Sequence, residues 1–145
     1  RGLGDVYKRQ GKANDCSMIT TGDIKSILSE DLKKYGFKTY LQDTFPDGEI
    51  TDERIIIRCG ELSPGTYWES SYAHLNICVP DLYGMANTRR LTEIERMFKR
   101  MKKTFRFDGS VCRYMEDGTS QEKDEALKCH FVNVRLLFEM LNVNY

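Results

Sequence analysis

Ala73-His74-Leu75-Asn76-Ile77-Cys78-Val79, closed by Pro80-Asp81, alternates apolar and polar residues without a break. Successive side chains of a strand point to opposite sides. Ala73, Leu75, Ile77 and Val79 would therefore share one face, and Tyr72, His74, Asn76 and Cys78 the other. The pattern predicts a strand over 66–79 with one face on a core and one face polar, the habit of antiparallel sheets.

Upstream, Arg54-Ile55-Ile56-Ile57-Arg58-Cys59 is a β-branched run closed by Gly60 and a Ser63-Pro64-Gly65 turn, and reads as another strand. Phe37–Phe45 reads as a short strand before a Pro46-Asp47-Gly48 turn. Further back, Ile24, Ile27, Leu28, Leu32 and Tyr35 fall at helical spacing. Thr20 or Thr21 can cap that helix, with Asp23 in its first turn and Gly36 as its stop, so a helix over 21–35 is expected.

Downstream, a Gly84 loop leads to Asn87 or Thr88 as N-cap. Leu91, Ile94, Met97, Phe98 and Met101 then predict a helix over 89–103. Residues 105–115 read as a strand and Glu116–Glu125 as a charged turn. The 126–141 stretch fits a strand through Val132, Val134, Leu136, Phe138 and Met140, and a helix through Leu127, Phe131, Val134, Phe138 and Leu141. Val132 and Val134 beside Phe131 favour the strand. The expected fold is α+β: a mainly antiparallel β-sheet with two helices packed on one face, in the order α-β-β-β-α-β-β.

At 145 residues the chain has room for one domain, with 40% hydrophobic and 30% charged residues. Lys plus Arg number 22 and Asp plus Glu 22, which excludes the strongly basic balance of a dedicated nucleic-acid binder. No apolar run approaches the roughly 18 residues of a membrane span. The five cysteines show no CxxC pair, so reduced thiols in an intracellular setting are expected rather than a disulfide framework or a zinc ribbon.

The first ten residues, Arg1-Gly2-Leu3-Gly4-Asp5-Val6-Tyr7-Lys8-Arg9-Gln10, resemble the translation of a transposon-based sequencing-library adapter. That would mark an open reading frame from shotgun, metagenomic DNA, and such scars are left out of fold reasoning. Met18 is the expected native start, with 11–17 as upstream read-through and 18–145 as a single α+β domain. Without Arg1, Lys8, Arg9 and Asp5 the balance moves from zero to two net negative charges.

Few residues carry a catalytic signature, and no catalytic residue, metal site or cofactor is expected. His74 and Cys78 share a strand face and Cys129 adjoins His130, so a Cys/His metal or nucleophile site can be imagined, but the spacing matches no zinc motif. The carboxylate pairs Glu93/Glu95 and Asp108/Glu116 stand out little from the other acids. Asp43, Asp47, Glu49, Asp52 and Glu53 crowd one turn in an order that misses the calcium-loop pattern. Lys99, Arg100, Lys102, Lys103 and Arg106, interleaved with Phe98, Phe105 and Phe107, could hold a nucleic-acid backbone and stack bases. The same run also reads as the solvated side of an amphipathic helix. Tyr67, Trp68 and Tyr72 fit sheet packing or a protein interface.

The succession of an amphipathic helix, Arg54-Ile55-Ile56-Ile57-Arg58, Tyr67-Trp68, the strand ending Asn76-Ile77-Cys78-Val79-Pro80-Asp81, a Gly84 loop and a helix with Arg90-Leu91 and Ile94-Glu95 resembles the small tail terminator proteins of long-tailed bacteriophages, also called tail-completion or neck-type proteins. The likeness covers about residues 18–141. It implies a non-enzymatic virion protein, a ring of typically six copies that caps the tail tube and joins it to the head connector, with DNA passing through the lumen. Under that resemblance Arg54, Arg58, Trp68, Tyr72, His74 and Asn76 are candidates for ring contacts or lumen lining. Residues 106–126 look longer and more charged than the closing hairpin of that family.

Overall fold

The first helix begins where its capping residues put it. In the computed structural model, which describes residues 19–45 and 48–141, α1 spans Thr21–Asp31. The Thr20 hydroxyl accepts from the Asp23 N–H at 3.1 Å and the Asp23 carboxylate accepts from the Thr20 N–H at 2.9 Å, a reciprocal capping box. Ile24 and Leu28 are buried. A 3-10 turn, Leu32–Tyr35, carries the rest of the expected helix, and Gly36 ends it at φ 81°, a left-handed conformation that glycine adopts without steric cost. The adapter-like residues, the 11–17 segment, Met18, Pro46 and Asp47 lie outside the described residues.

Six strands follow the helix: β1 (Lys38–Leu41), β2 (Arg54–Cys59), β3 (Trp68–Pro80), β4 (Lys102–Phe107), β5 (Ser110–Asp124) and β6 (Cys129–Leu141), with α2 (Thr88–Phe98) between β3 and β4. They form one mixed, curled sheet in the order β1-β2-β3-β6-β5-β4. The chain is thus α+β. The β2–β3, β3–β6, β6–β5 and β5–β4 pairs are antiparallel, but β1 and β2 run parallel. The intervening residues 42–53 supply the dozen-residue crossover that a parallel pair needs.

Three expectations are corrected. The 105–115 strand is two strands, because Asp108 and Gly109 take φ of 53° and 86° and turn the chain between β4 and β5. Asp-Gly is a strong two-residue hairpin signal for that conformation. Glu116–Glu125 is not a charged turn: residues 116–124 are the far half of β5, paired with β6 beyond a bulge between Glu116 and Thr119. The observed order is therefore α-β-β-β-α-β-β-β. The second helix also stops at Phe98, short of 103, where Lys99 is extended and Arg100 takes φ 61°. Lys102 and Lys103 consequently belong to a strand.

Both helices cover the same side of the sheet. Ile24, Leu28 and Leu32 from the first helical segment meet Ile55, Ile57 and Leu75, while Leu91, Ile94 and Phe98 of α2 reach Val134, Leu136 and Phe138 in one continuous core. The 126–141 stretch follows strand parity as expected: Val132, Val134, Leu136, Phe138 and Met140 all point into that core. Each such side chain contributes about 1.5–3 kcal/mol by leaving water. Alternation then sends the intervening residues to the face that neither α1 nor α2 covers.

Candidate functional site

The face opposite the helices is polar at its centre and charged toward β4 and β5, and at its other end Ile50, Leu127 and Phe45 bury Ile56, Cys78 and Cys129 in a second apolar cluster. Asn76 of β3 is in register with Asn133 of β6, and His74, in register with Arg135, lies diagonal to Asn133. The Asn133 amide donates to Asn76 Oδ1 at 2.7 Å and approaches His74 Nδ1 at 3.5 Å. Next to this trio a cleft of about 330 Å³ is lined by Gln42, Arg58, His74, Asn76, Glu122 and Asn133, together with Phe131. Arg58 is exposed and makes no ion pair among the described residues.

Three arginines on this face each lie over an aromatic ring. Arg113 sits 4.1 Å from the centre of Trp68, Arg135 5.1 Å from Tyr72 and Arg54 5.2 Å from Tyr40. Arg113 and Arg135 are also matched by acids or carbonyls, whereas Arg54 shares its one acid with Lys38. Arg113 Nε donates to Glu139 at 2.8 Å, Arg135 to the Asp117 carbonyl and carboxylate, and Arg54 Nη2 to Asp52 at 3.3 Å. A neutralised guanidinium holds a polyanion poorly, while Arg, Tyr and Trp are each enriched at protein interfaces. Tyr72 is 45% exposed and Trp68 half-buried, whereas Arg54 is only 8% exposed and offers little to a neighbour.

The basic run does not form a single patch. Lys99 and Arg100 occupy the turn after α2. Lys102 and Arg106 point to the uncovered face, and Lys103 points to the helical side, where it meets Asp31 at 2.9 Å. Lys99, Arg100, Lys102 and Arg106 make no salt bridge among the described residues.

Neither imagined Cys/His pairing forms. His74 and Cys78 are four residues apart along one strand, and Cys129 and His130 point to opposite faces. His130 instead binds Asp81 at 2.8 Å. Cys78 and Cys129 come together: both are buried in one small apolar cluster on the side away from the helices, and their mutual interaction holds Cys129 below the ordinary thiol pKa and Cys78, whose thiol donates to the Asn76 carbonyl at 3.8 Å, above it. Cys112 lies on the helical side, where burial pushes its thiol up to about 11. Among the described residues no group of three or more His, Cys, Asp or Glu is arranged to hold a metal ion.

Four of the candidate carboxylates are occupied elsewhere. Glu93 meets Arg90, Glu95 accepts from Thr119 and Gln121, Asp52 holds Lys38 and Arg54, and Glu53 holds Arg90. Asn133, Arg113 and Arg135 escaped the sequence reading, although strand parity through 126–141 already sets Asn133 and Arg135 opposite the apolar Val132 and Val134. No helix among the described residues is long and apolar enough to cross a membrane. Compared with protein-family models, with curated proteins and with solved structures, the chain matches none.

Proposed function

We propose that this chain is a non-enzymatic structural subunit that closes into a homo-oligomeric ring, of the phage tail terminator or head–tail joining type. In the virion, a ring of six copies would sit between the tail tube protein and the head connector, with DNA passing through its lumen. The observation that carries the reading is the uncovered sheet face, where Arg113 on Trp68 and Arg135 on Tyr72 present interface-type pairs with their charges already matched. The two edges of the sheet that the described residues form add to it. β4 ends the sheet on one side with Lys102 and Lys103, and β1 ends it on the other. An exposed edge pairs with another chain unless something blocks it, and a closed ring uses up such edges without building fibres.

Native mass spectrometry of the full chain across concentration, with particle imaging, tests this. A closed ring that Tyr72→Ala with Arg135→Glu reduces to folded monomers supports the reading. A monomer at every concentration, both alone and with tail tubes, removes it. The second reading, a small nucleic-acid-binding accessory protein, rests on Lys99, Arg100, Lys102 and Arg106 being free of salt bridges. It requires strongly salt-dependent binding of DNA or RNA that charge reversal at those positions weakens.

A further inference from the structure

We propose that Cys78 and Cys129 form a buried dithiol site for a soft monovalent cation such as Cu(I), with the Arg54 guanidinium as its counter-charge. The proposal is independent of the ring. In the β3–β6 register Cys78 faces Phe131 and Cys129 faces Pro80, so the two thiols are diagonal neighbours rather than opposite partners. Diagonal neighbours in an antiparallel pair sit about 7–8 Å apart at Cα. A disulfide cannot span much beyond about 7 Å without moving the backbone. Two metal–sulfur bonds of roughly 2.3 Å each reach across such a gap.

The surroundings select the metal. Thiolate sulfur prefers soft cations. Ile50, Ile56 and Leu127, with Phe45 and Phe131, pack around the two thiols, and although the Asp124 charge acts on both, no third Cys, His or carboxylate among the described residues is arranged with them to hold a metal ion. A tetrahedral ion such as zinc would lack half its ligands, whereas a filled-shell monovalent ion is satisfied by two sulfurs in line.

The charge fits as well. Arg54 stands directly across the β2–β3 pair from Cys78 and is buried, and its Nε has no hydrogen-bond partner. Among the described residues its single ion pair is the 3.3 Å contact to Asp52, which also holds Lys38 at 2.6 Å. A buried cation so thinly compensated is costly. When the metal binds, both S–H protons leave to solvent, two S–Cu bonds form and copper stays Cu(I). The resulting unit carries one negative charge beside the guanidinium. Entry requires local opening of the cluster, of the kind folded proteins undergo continually.

The test titrates the reduced full-length chain with chelator-buffered Cu(I). One ion per chain is expected, lost in Cys78→Ser and in Cys129→Ser and retained in Cys112→Ser. Arg54→Met should bind at least roughly tenfold more weakly, since truncating one partner of a buried charge pair is expensive. Because a serine variant can also misfold, wild-type protein is alkylated with and without Cu(I) and its peptides are mapped. Protection of Cys78 and Cys129 together supports the site. Binding no tighter than in Cys78→Ser, or protection of any other cysteine pair, overturns it.

Discussion

The Tyr114 hydroxyl donates a 2.8 Å hydrogen bond to the Asp31 carboxylate and so ties β5 to the last residue of α1. Burial, and after it this bond, raises the phenol pKa and keeps the proton on the donor. Tyr114→Phe removes the bond but leaves Asp31 its 2.9 Å contact with Lys103. The expected loss is about 1–2 kcal/mol, the low end for a bond to a charged partner. Urea unfolding should show a lower midpoint at unchanged slope.

Phe98 closes the core under both helical segments. It is fully buried at the end of α2 and its ring lies 4.5 Å from that of Tyr35. Phe98→Ala would leave a cavity that two helix ends and a sheet cannot collapse to fill. A destabilisation of about 3–5 kcal/mol is expected. Equilibrium denaturation measures it, and a loss below 1 kcal/mol would mean that the site repacks.

What was legible in the sequence follows from how each signal arises. The one-sided alternation of Ala73–Val79 and the capping pair Thr20 and Asp23 are local consequences of burial and hydrogen bonding, and both appear where the chain indicates. The Asp108-Gly109 hairpin was equally local but was hidden by reading 105–115 as one run. Three features are different in kind. The parallel β1–β2 pair, the Trp68–Arg113 stack and the Cys78–Cys129 contact depend on which strands become neighbours. Periodicity shows which way Cys78 points, but only the strand order brings Cys129 beside it.

Glu95 makes the stability depend on acid. Its carboxylate accepts from Thr119 Oγ1 at 2.6 Å and from Gln121 Nε2 at 3.0 Å, and these bonds, Thr119 first, hold its pKa below the usual 4.5. A depressed folded pKa gives a contribution that is complete above the unfolded value and is lost as the pH falls through the folded one. Stability should therefore fall below about pH 4.5 more steeply in the wild type than in Glu95→Gln. Denaturant midpoints measured stepwise through this range would show the two curves converging. Parallel curves would mean the carboxylate contributes nothing specific.

Arg90 joins α2 to the segment ahead of β2 through geometry as much as charge. Its Nε and Nη2 grip the two Glu53 oxygens at 2.7 and 2.9 Å, its Nη1 reaches Glu93 at 3.2 Å, and its guanidinium lies 5.8 Å from the Phe37 ring centre. Lysine keeps the charge but has neither the planar fork nor the flat surface. The side chains are 34% and 29% exposed, so solvent discounts the pair. Arg90→Lys is expected to cost about 1 kcal/mol, because a bidentate pair exceeds an ordinary surface contact. Glu53→Gln should cost a similar amount, and the double variant less than both singles added together, since the two residues act on one interaction. Raising the salt from about 0.1 to about 1 M shortens screening from ~10 to ~3 Å. That should shrink the Glu53→Gln penalty, which is mainly charge. The Arg90→Lys penalty should persist, because what lysine lacks there is shape.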